Sequence, residues 1–311
     1  MGNLSDRLKK IELDDKPLFE SYLTRFPPTV SDLVFSNLFM WRHYYRAERI
    51  EIAGTLCILC RPRGIRPFAF PPVGPCESER MEEILSTIRQ IQHERGITQG
   101  VMFRRVPEKV MECFKHIVPE EDLTIQYDRN GSDYVYLRED LVQLKGKRYD
   151  GKRNHLNRFN VLYESEFVPF DSASIQNGIQ DECMEILEQW ARDHQEERDG
   201  IFYCENLANK EMVENIPNLG IKGALVRVGG RAEAFTTGEM LGKDTAVIHI
   251  EKANPRVRGL YTYINRMFAE QGFPEATYIN REEDMGAEGL RKAKTSYCPV
   301  HMVDKYDVII R

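Results

Sequence analysis

The chain of 311 residues is 41% hydrophobic and 30% charged, with a formal net charge of −6, a globular composition that excludes a disordered chain. At about 150 residues per domain the length predicts two domains. No run approaches the roughly 18 apolar residues of a transmembrane helix. The opening MGNLSDRLKK has neither a signal-peptide core nor, with Asp6 after Gly2, a myristoylation signal, so a soluble cytoplasmic protein is expected.

In chain order, TVSDLVFSNLFMWRHYYR predicts a helix with Ser31 as its cap and Val34, Phe35, Leu38, Phe39 and Trp41 at near-helical spacing. Strands follow around 49–60 and 67–72, broken by Arg61-Pro62-Arg63-Gly64 and Pro71-Pro72. A helix near 79–95 carries Ile84, Ile88 and Ile91 on one face and stops at Gly96. A strand at 98–104, a short helix at 107–116 and a strand at 132–138 complete an α/β half. In the second half, residues 178–198 read as an amphipathic helix through Ile179, Cys183, Ile186, Leu187, Trp190 and His194. ALVRV and AEAFTTGEML form a hairpin about Gly229-Gly230, because glycine supplies the positive φ of a tight turn. The strand AVIHIEKA, a break at Asn254-Pro255, the helix RGLYTYINRMFAEQG, the strand ATYIN, the helix GAEGLRKAKTSY and the strands VHMVDK and DVIIR end the chain.

Seven cysteines without regular spacing argue against a disulfide framework and for a reducing compartment. Cys57 and Cys60 sit in the strand GTLCILC, where they read as small buried hydrophobes. The seven histidines show no metal-ligand spacing. Charge is unevenly spread: KGKRYDGKRNHLNR, residues 145–158, carries six Lys/Arg against one Asp. Such a segment in an acidic chain predicts an anionic partner held at one place, through Lys145, Lys147, Arg148, Lys152 and Arg153. A solvated linker face is the alternative, and Gly146 or Gly151 are expected to break a helix here.

The order helix, three strands, helix, strand, helix, strand over 178–311 resembles the GNAT acyltransferase superfamily. Arg256-Val257-Arg258-Gly259-Leu260-Tyr261 resembles that superfamily's R/Q-x-x-G-x-G/A loop, whose amides and helix N-terminus hold a pyrophosphate. Arg256, Arg258, Gly259 and Tyr261 are therefore the expected donor-binding residues. Tyr261 replaces a small residue and favours an aminoacyl-tRNA terminus over coenzyme A. FSNLFMWRHYY, KGKRYDGKRNHLNRF, HIEKAN, RGLYTYIN and YINREEDMGAEGLRKAKTSYCPV are similar to a bacterial family of stand-alone proteins related to the phosphatidylglycerol lysyltransferase catalytic domain. That family is similar in fold to the Fem aminoacyltransferases. The resemblance implies an α/β fold of two tandem GNAT-like acyltransferase domains, each a mixed sheet flanked by helices. The expected bounds are 1–140, a basic junction 141–165, and 166–311. It also implies transfer of an aminoacyl or acyl group from aminoacyl-tRNA or acyl-CoA, as co-substrate rather than permanently bound cofactor, to a small-molecule, peptide or lipid amine or hydroxyl.

Acyl transfer needs a base, oxyanion stabilisation and an acid. Glu251, which shares a strand face with His249 and ends its strand beside the anion loop, is the candidate base, and Glu233 and Glu239 are weaker ones. Asn280 and Asp284, on the next strand-to-helix turn, are candidates for substrate binding, and Tyr297 for the acid that protonates the leaving group. The aromatic group Phe35, Phe39, Trp41, Tyr44 and Tyr45 reads as core, with base stacking as the alternative. Two further functions stay open: an acyl-CoA-dependent N-acyltransferase on a small amine, and a degenerate GNAT pair that binds a nucleotide or protein.

Overall fold

The computed structural model describes residues 3–175, 177–193 and 201–311. The first strands are β1 (Lys9–Lys10), β2 (Glu48–Ile52), β3 (Thr55–Cys60), β4 (Phe68–Ala69), β5 (Val101–Pro107) and β6 (Leu123–Tyr127). Then come β7 (Asp133–Leu137), β8 (Ser165–Asp171), β9 (Lys222–Val228), β10 (Arg231–Met240), β11 (Thr245–Ala253), β12 (Tyr278–Asn280), β13 (His301–Val303) and β14 (Lys305–Ile310). The helices are α1 (Lys16–Arg25), α2 (Phe35–Tyr45), α3 (Ser78–Glu94), α4 (Glu108–Ile117), α5 (Arg138–Gln143), α6 (Asp150–Leu162), α7 (Asn177–Asp193), α8 (Ile201–Leu219), α9 (Leu260–Gln271) and α10 (Glu288–Thr295).

Two compact units result, and neither is a single stretch of chain. The first is Met1–Asp133 with Glu283–Gly286 and Val303–Arg311; the second is Tyr134–Glu282 with Ala287–Met302. The basic segment, expected as a junction, lies wholly in the second unit.

The first unit's sheet runs β1-β2-β3-β4-β5-β14-β6. α3 covers it with the expected isoleucines, Met81 and Leu85, packed on Phe103, Val308 and Ile310, and Gly96 takes φ +70° at its end. The strand read at 49–60 is instead the hairpin β2–β3, turned by Ala53 and Gly54 at φ +50° and +72°. Ser31 is no helix cap: α2 starts after Val34, and the Ser31 amide and hydroxyl both donate to Asp133. β14, read as part of the C-terminal half, inserts between β5 and β6, antiparallel to both. Cys76 and Cys113 form a disulfide across 37 residues, because α3 and α4 are neighbours. That bridge is a pairing the sequence reading did not expect, and the other five cysteines are free. Cys57 and Cys60 lie buried in β3, and burial pushes the Cys57 thiol up to about 12.

The second unit's sheet runs β13-β7-β12-β11-β10-β9-β8. The β9–β10 hairpin turns on Gly229 and Gly230 at φ +57° and +82°. The basic segment breaks at Leu144 and Gly146, at φ +49° and +93°, while Gly151 stays within α6. α8 and the edge strand β8 are additions to the sequence reading. Part of the helix read over 178–198, including His194, lies outside the described residues.

Candidate functional site

The second sheet opens along one strand. β11 runs parallel to β12 only through Thr245↔Tyr278, Ala246↔Ile279 and Val247↔Asn280, and then continues alone on that side to Ala253. A parallel pair joined by a crossover helix, here α9, brings the carboxyl ends of its strands together, where open α/β sheets hold ligands. A β-bulge at the same level, between Thr237 and Gly238 of the β10 partner, leaves His249 unpaired in register. Bulges of this kind re-aim a side chain.

Glu251 stands in the opening. Its Oε1 accepts from Arg281 Nη2 at 2.9 Å and its Oε2 from Asn265 Nδ2 at 3.0 Å. Arg281 follows β12 directly and Asn265 belongs to α9, so each strand of the opening and its crossover helix contribute one group. Tyr297, just past α10, is 5% exposed, and its hydroxyl meets Thr262 Oγ1 at 3.4 Å. Burial pushes the pKa of that phenol up, so it holds its proton at neutral pH. Against the Tyr297 ring lie Arg281, 5.0 Å from the centroid, and Lys152, whose Nζ is 3.8 Å away. Burial, and then the Arg281 charge, lower the Lys152 ammonium to about 8. Two buried polar atoms here lack a hydrogen-bond partner among the described residues: Arg281 Nη1 and Asn265 Oδ1.

Beside this group, His249 Nε2 and Nδ1 each lie 2.9 Å from a carboxylate, Glu239 and Glu282 respectively. Burial alone would lower the imidazolium, but the two glutamates reverse that and hold it near 9. A histidine whose folded value is raised above its unfolded 6.5 stabilises the fold fully below about pH 6.5, and that contribution is lost as pH rises toward 9. The expected loss between pH 7 and 9 is about 2 kcal/mol. Urea denaturation across that range reads it, and His249→Gln should flatten the profile. An equal slope in both proteins would show that His249 is neutral in the fold.

The other predicted residues fall as follows. Arg256 is exposed and pairs with Asp193 at 3.3 Å; Arg258 is exposed. Gly259 takes φ +86° and caps α9, but the side where a Cβ would sit is filled by the His155 carbonyl, 2.4 Å from that position. Its close approach is thus to α6 of the same unit. Tyr261 is 38% exposed and neighbours the Ala253 backbone and Trp190. A cavity of about 490 Å³ beside this loop is lined by Trp190, Arg231, Glu233, Asn254 and Arg256 among others. There Asn254 Nδ2 donates to Glu233 at 2.7 Å.

Asn280 is fully buried, and its Oδ1 accepts the Glu282 amide at 2.8 Å. Asp284 belongs to the first unit, where it accepts the Gly286 amide at 2.9 Å and faces Arg129 at 3.3 Å. Both are engaged in building their turn. Of the basic residues, Lys145 and Lys147 are exposed, Arg148 pairs with Asp140 at 2.7 Å, and Arg153 bonds the Leu144 and Gly146 carbonyls and Asp150. Only Lys152 turns into the opening. The structure thus joins Glu251, Tyr297 and Lys152. It adds Arg281, Asn265, Thr262 and the Glu239–His249–Glu282 group, which the sequence reading did not assemble. The position of Arg281, first after a strand parallel to β11, was the available signal for it.

In comparison with known proteins, the family described as "Phosphatidylglycerol lysyltransferase, C-terminal" matches residues 23–309. No curated protein matches the chain by sequence. A conserved protein of unknown function from Bacteroides thetaiotaomicron is 31% identical, with a TM-score of 0.86 over 98% of this chain and 99% of that one. The C-terminal domain of a putative lysylphosphatidylglycerol synthetase from Agrobacterium fabrum is 15% identical, with a TM-score of 0.66 over 95% and 91%. A tandem GNAT protein from the clavulanic acid biosynthesis pathway is 9% identical, with a TM-score of 0.50 over 97% and 98%. The fold is therefore a tandem GNAT-like pair of mixed sheets. No described helix is long and apolar enough to cross a membrane. With the match spanning nearly its whole length, the chain belongs to the phosphatidylglycerol lysyltransferase C-terminal family.

Proposed function

We propose that this protein transfers an aminoacyl group from aminoacyl-tRNA to an amine or hydroxyl acceptor, with the chemistry in the opening between β11 and β12. The observation that carries this reading is Glu251, a carboxylate fixed from both oxygens in the gap where the two parallel strands part. Glu251 takes the acceptor's proton as it attacks the ester carbonyl, and the Tyr297 phenol supplies a proton to the departing ribose oxygen.

The loop before α9 supports tRNA over coenzyme A. A pyrophosphate cradle needs open backbone, yet the open side of Gly259 is filled by His155, and of the two arginines Arg256 pairs with Asp193 while Arg258 stays exposed. The exposed Lys145 and Lys147 are available for tRNA phosphates.

Incubation with tRNA carrying a labelled amino acid, and separately with labelled acyl-CoA, tests the reading. The acceptors offered are a small amine, a peptide, and vesicles containing phosphatidylglycerol, the lipid named in the family's description. Labelled acceptor from the tRNA arm is the expected result. Turnover from the acyl-CoA arm alone would make the protein an acyl-CoA-dependent N-acyltransferase, and turnover from neither would make it a binding module.

A further inference from the structure

Resting on that reading, we infer that Lys152 and the unpaired arm of Arg281 form the seat of the oxyanion that develops when the donor ester is attacked. The argument is one of charge and of unfilled hydrogen bonds. Arg281 and Glu251 cancel one another across a 2.9 Å contact. The Lys152 ammonium, packed against the Tyr297 ring, then leaves one positive charge in surplus. It has no hydrogen-bond acceptor among the described residues, and Arg281 Nη1 is buried without one. Leaving the buried Arg281 donor unfilled is costly in a folded protein. Donors held ready for charge that appears only during reaction are what electrostatic catalysis requires.

The placement fits the order of bond changes. Arg281 Nη2 holds Glu251, so the acceptor atom that gives its proton to Glu251 sits beside Nη1 of the same guanidinium. As the acceptor heteroatom bonds to the carbonyl carbon, the π electrons move onto the carbonyl oxygen, whose single negative charge matches the surplus positive one. Collapse returns those electrons to the carbonyl and breaks the bond to the ribose oxygen, which takes the proton from Tyr297. The proton on Glu251 restores the phenol through solvent. Lys152 thus leaves the expected phosphate-binding set and becomes a catalytic residue.

Steady-state kinetics of Lys152→Met and Lys152→Arg with whichever donor the wild type uses provide the test. Met keeps the packing on Tyr297 and removes the charge. It should lower kcat by about 100- to 1000-fold, with KM within about threefold, and Arg should recover at least about a tenth of the wild-type kcat. A loss appearing in KM instead would mean that a resident anion of the ligand occupies the seat, and the inference fails. Unchanged kcat in Met, or equal losses in Met and Arg, overturns it as well. A wild type that turns over neither donor removes the transferase reading itself, an outcome separate from these.

Discussion

Replacing Lys305 by Met should destabilise the first unit by about 3–5 kcal/mol, the cost of removing one partner from a buried ionic group. Lys305 is fully buried on β14, and its Nζ contacts Asp133 at 2.6 Å, Asp32 at shorter range and Glu283 at 3.9 Å. Arg105 is the other cation in the group, at 3.4 Å from Asp32, 2.7 Å from Asp128 and 3.6 Å from Glu283. Burial opposes the charge on Lys305, but Asp133, Asp32 and Glu283 outweigh it and push the ammonium up. Without Lys305 a single guanidinium faces four carboxylates. Chemical denaturation of Lys305→Met reads the loss, and adding Asp133→Asn to the same protein should recover part of it, because one orphaned charge goes with it. A loss below about 1 kcal/mol would mean that water or protonation relieves the site, against the full burial of Lys305 and Asp133.

The second large effect concerns rate. Glu251→Gln keeps the shape of the side chain and an oxygen for Arg281 or Asn265, but it takes no proton from an acceptor. Turnover should fall by about 100- to 10,000-fold, the range for removing a general base. Gln also leaves Arg281 without its countercharge, so rates are compared per folded molecule, with circular dichroism fixing that fraction. A drop of less than about threefold would assign proton removal to another group and reduce Glu251 to a holder of Arg281.

The legible parts of the fold were those with a local physical signature. The stripe through Ile84, Ile88 and Ile91 fixed α3, and Gly229-Gly230 fixed the β9–β10 hairpin, since each signal is complete within a few residues. α8 went unread because IFYCENLANKEMVENIPNL mixes apolar and polar residues on all sides and contains Pro217. Strands β6 and β8 lie at sheet edges, where exposed positions blur the alternation. In the site, Glu251 was legible from its strand position beside a loop. Lys152 was not, because the basic run reads as one patch in sequence. A helix separates successive residues by about 100°, so Lys152 points into the opening while Arg153 ties down the end of α5. The Glu239–His249–Glu282 group was illegible for a similar reason: a bulge, a hairpin strand and a turn meet there only after folding.

The insertion of β14 between β5 and β6 sets the order of assembly. Ile310 pairs with Val101 on one side and Leu123 on the other, so during synthesis both partners emerge long before the strand that joins them. The second unit lies wholly upstream of Val303. Until β14 arrives, β5 and β6 present two open edges, the kind of surface that recruits other strands. Closing so long a loop is slow, because its entropy is lost before any contact rewards it. The N-terminal unit, although made first, is thus the one that finishes folding last, and a nascent chain waits with its first core incomplete while the second unit is already being built.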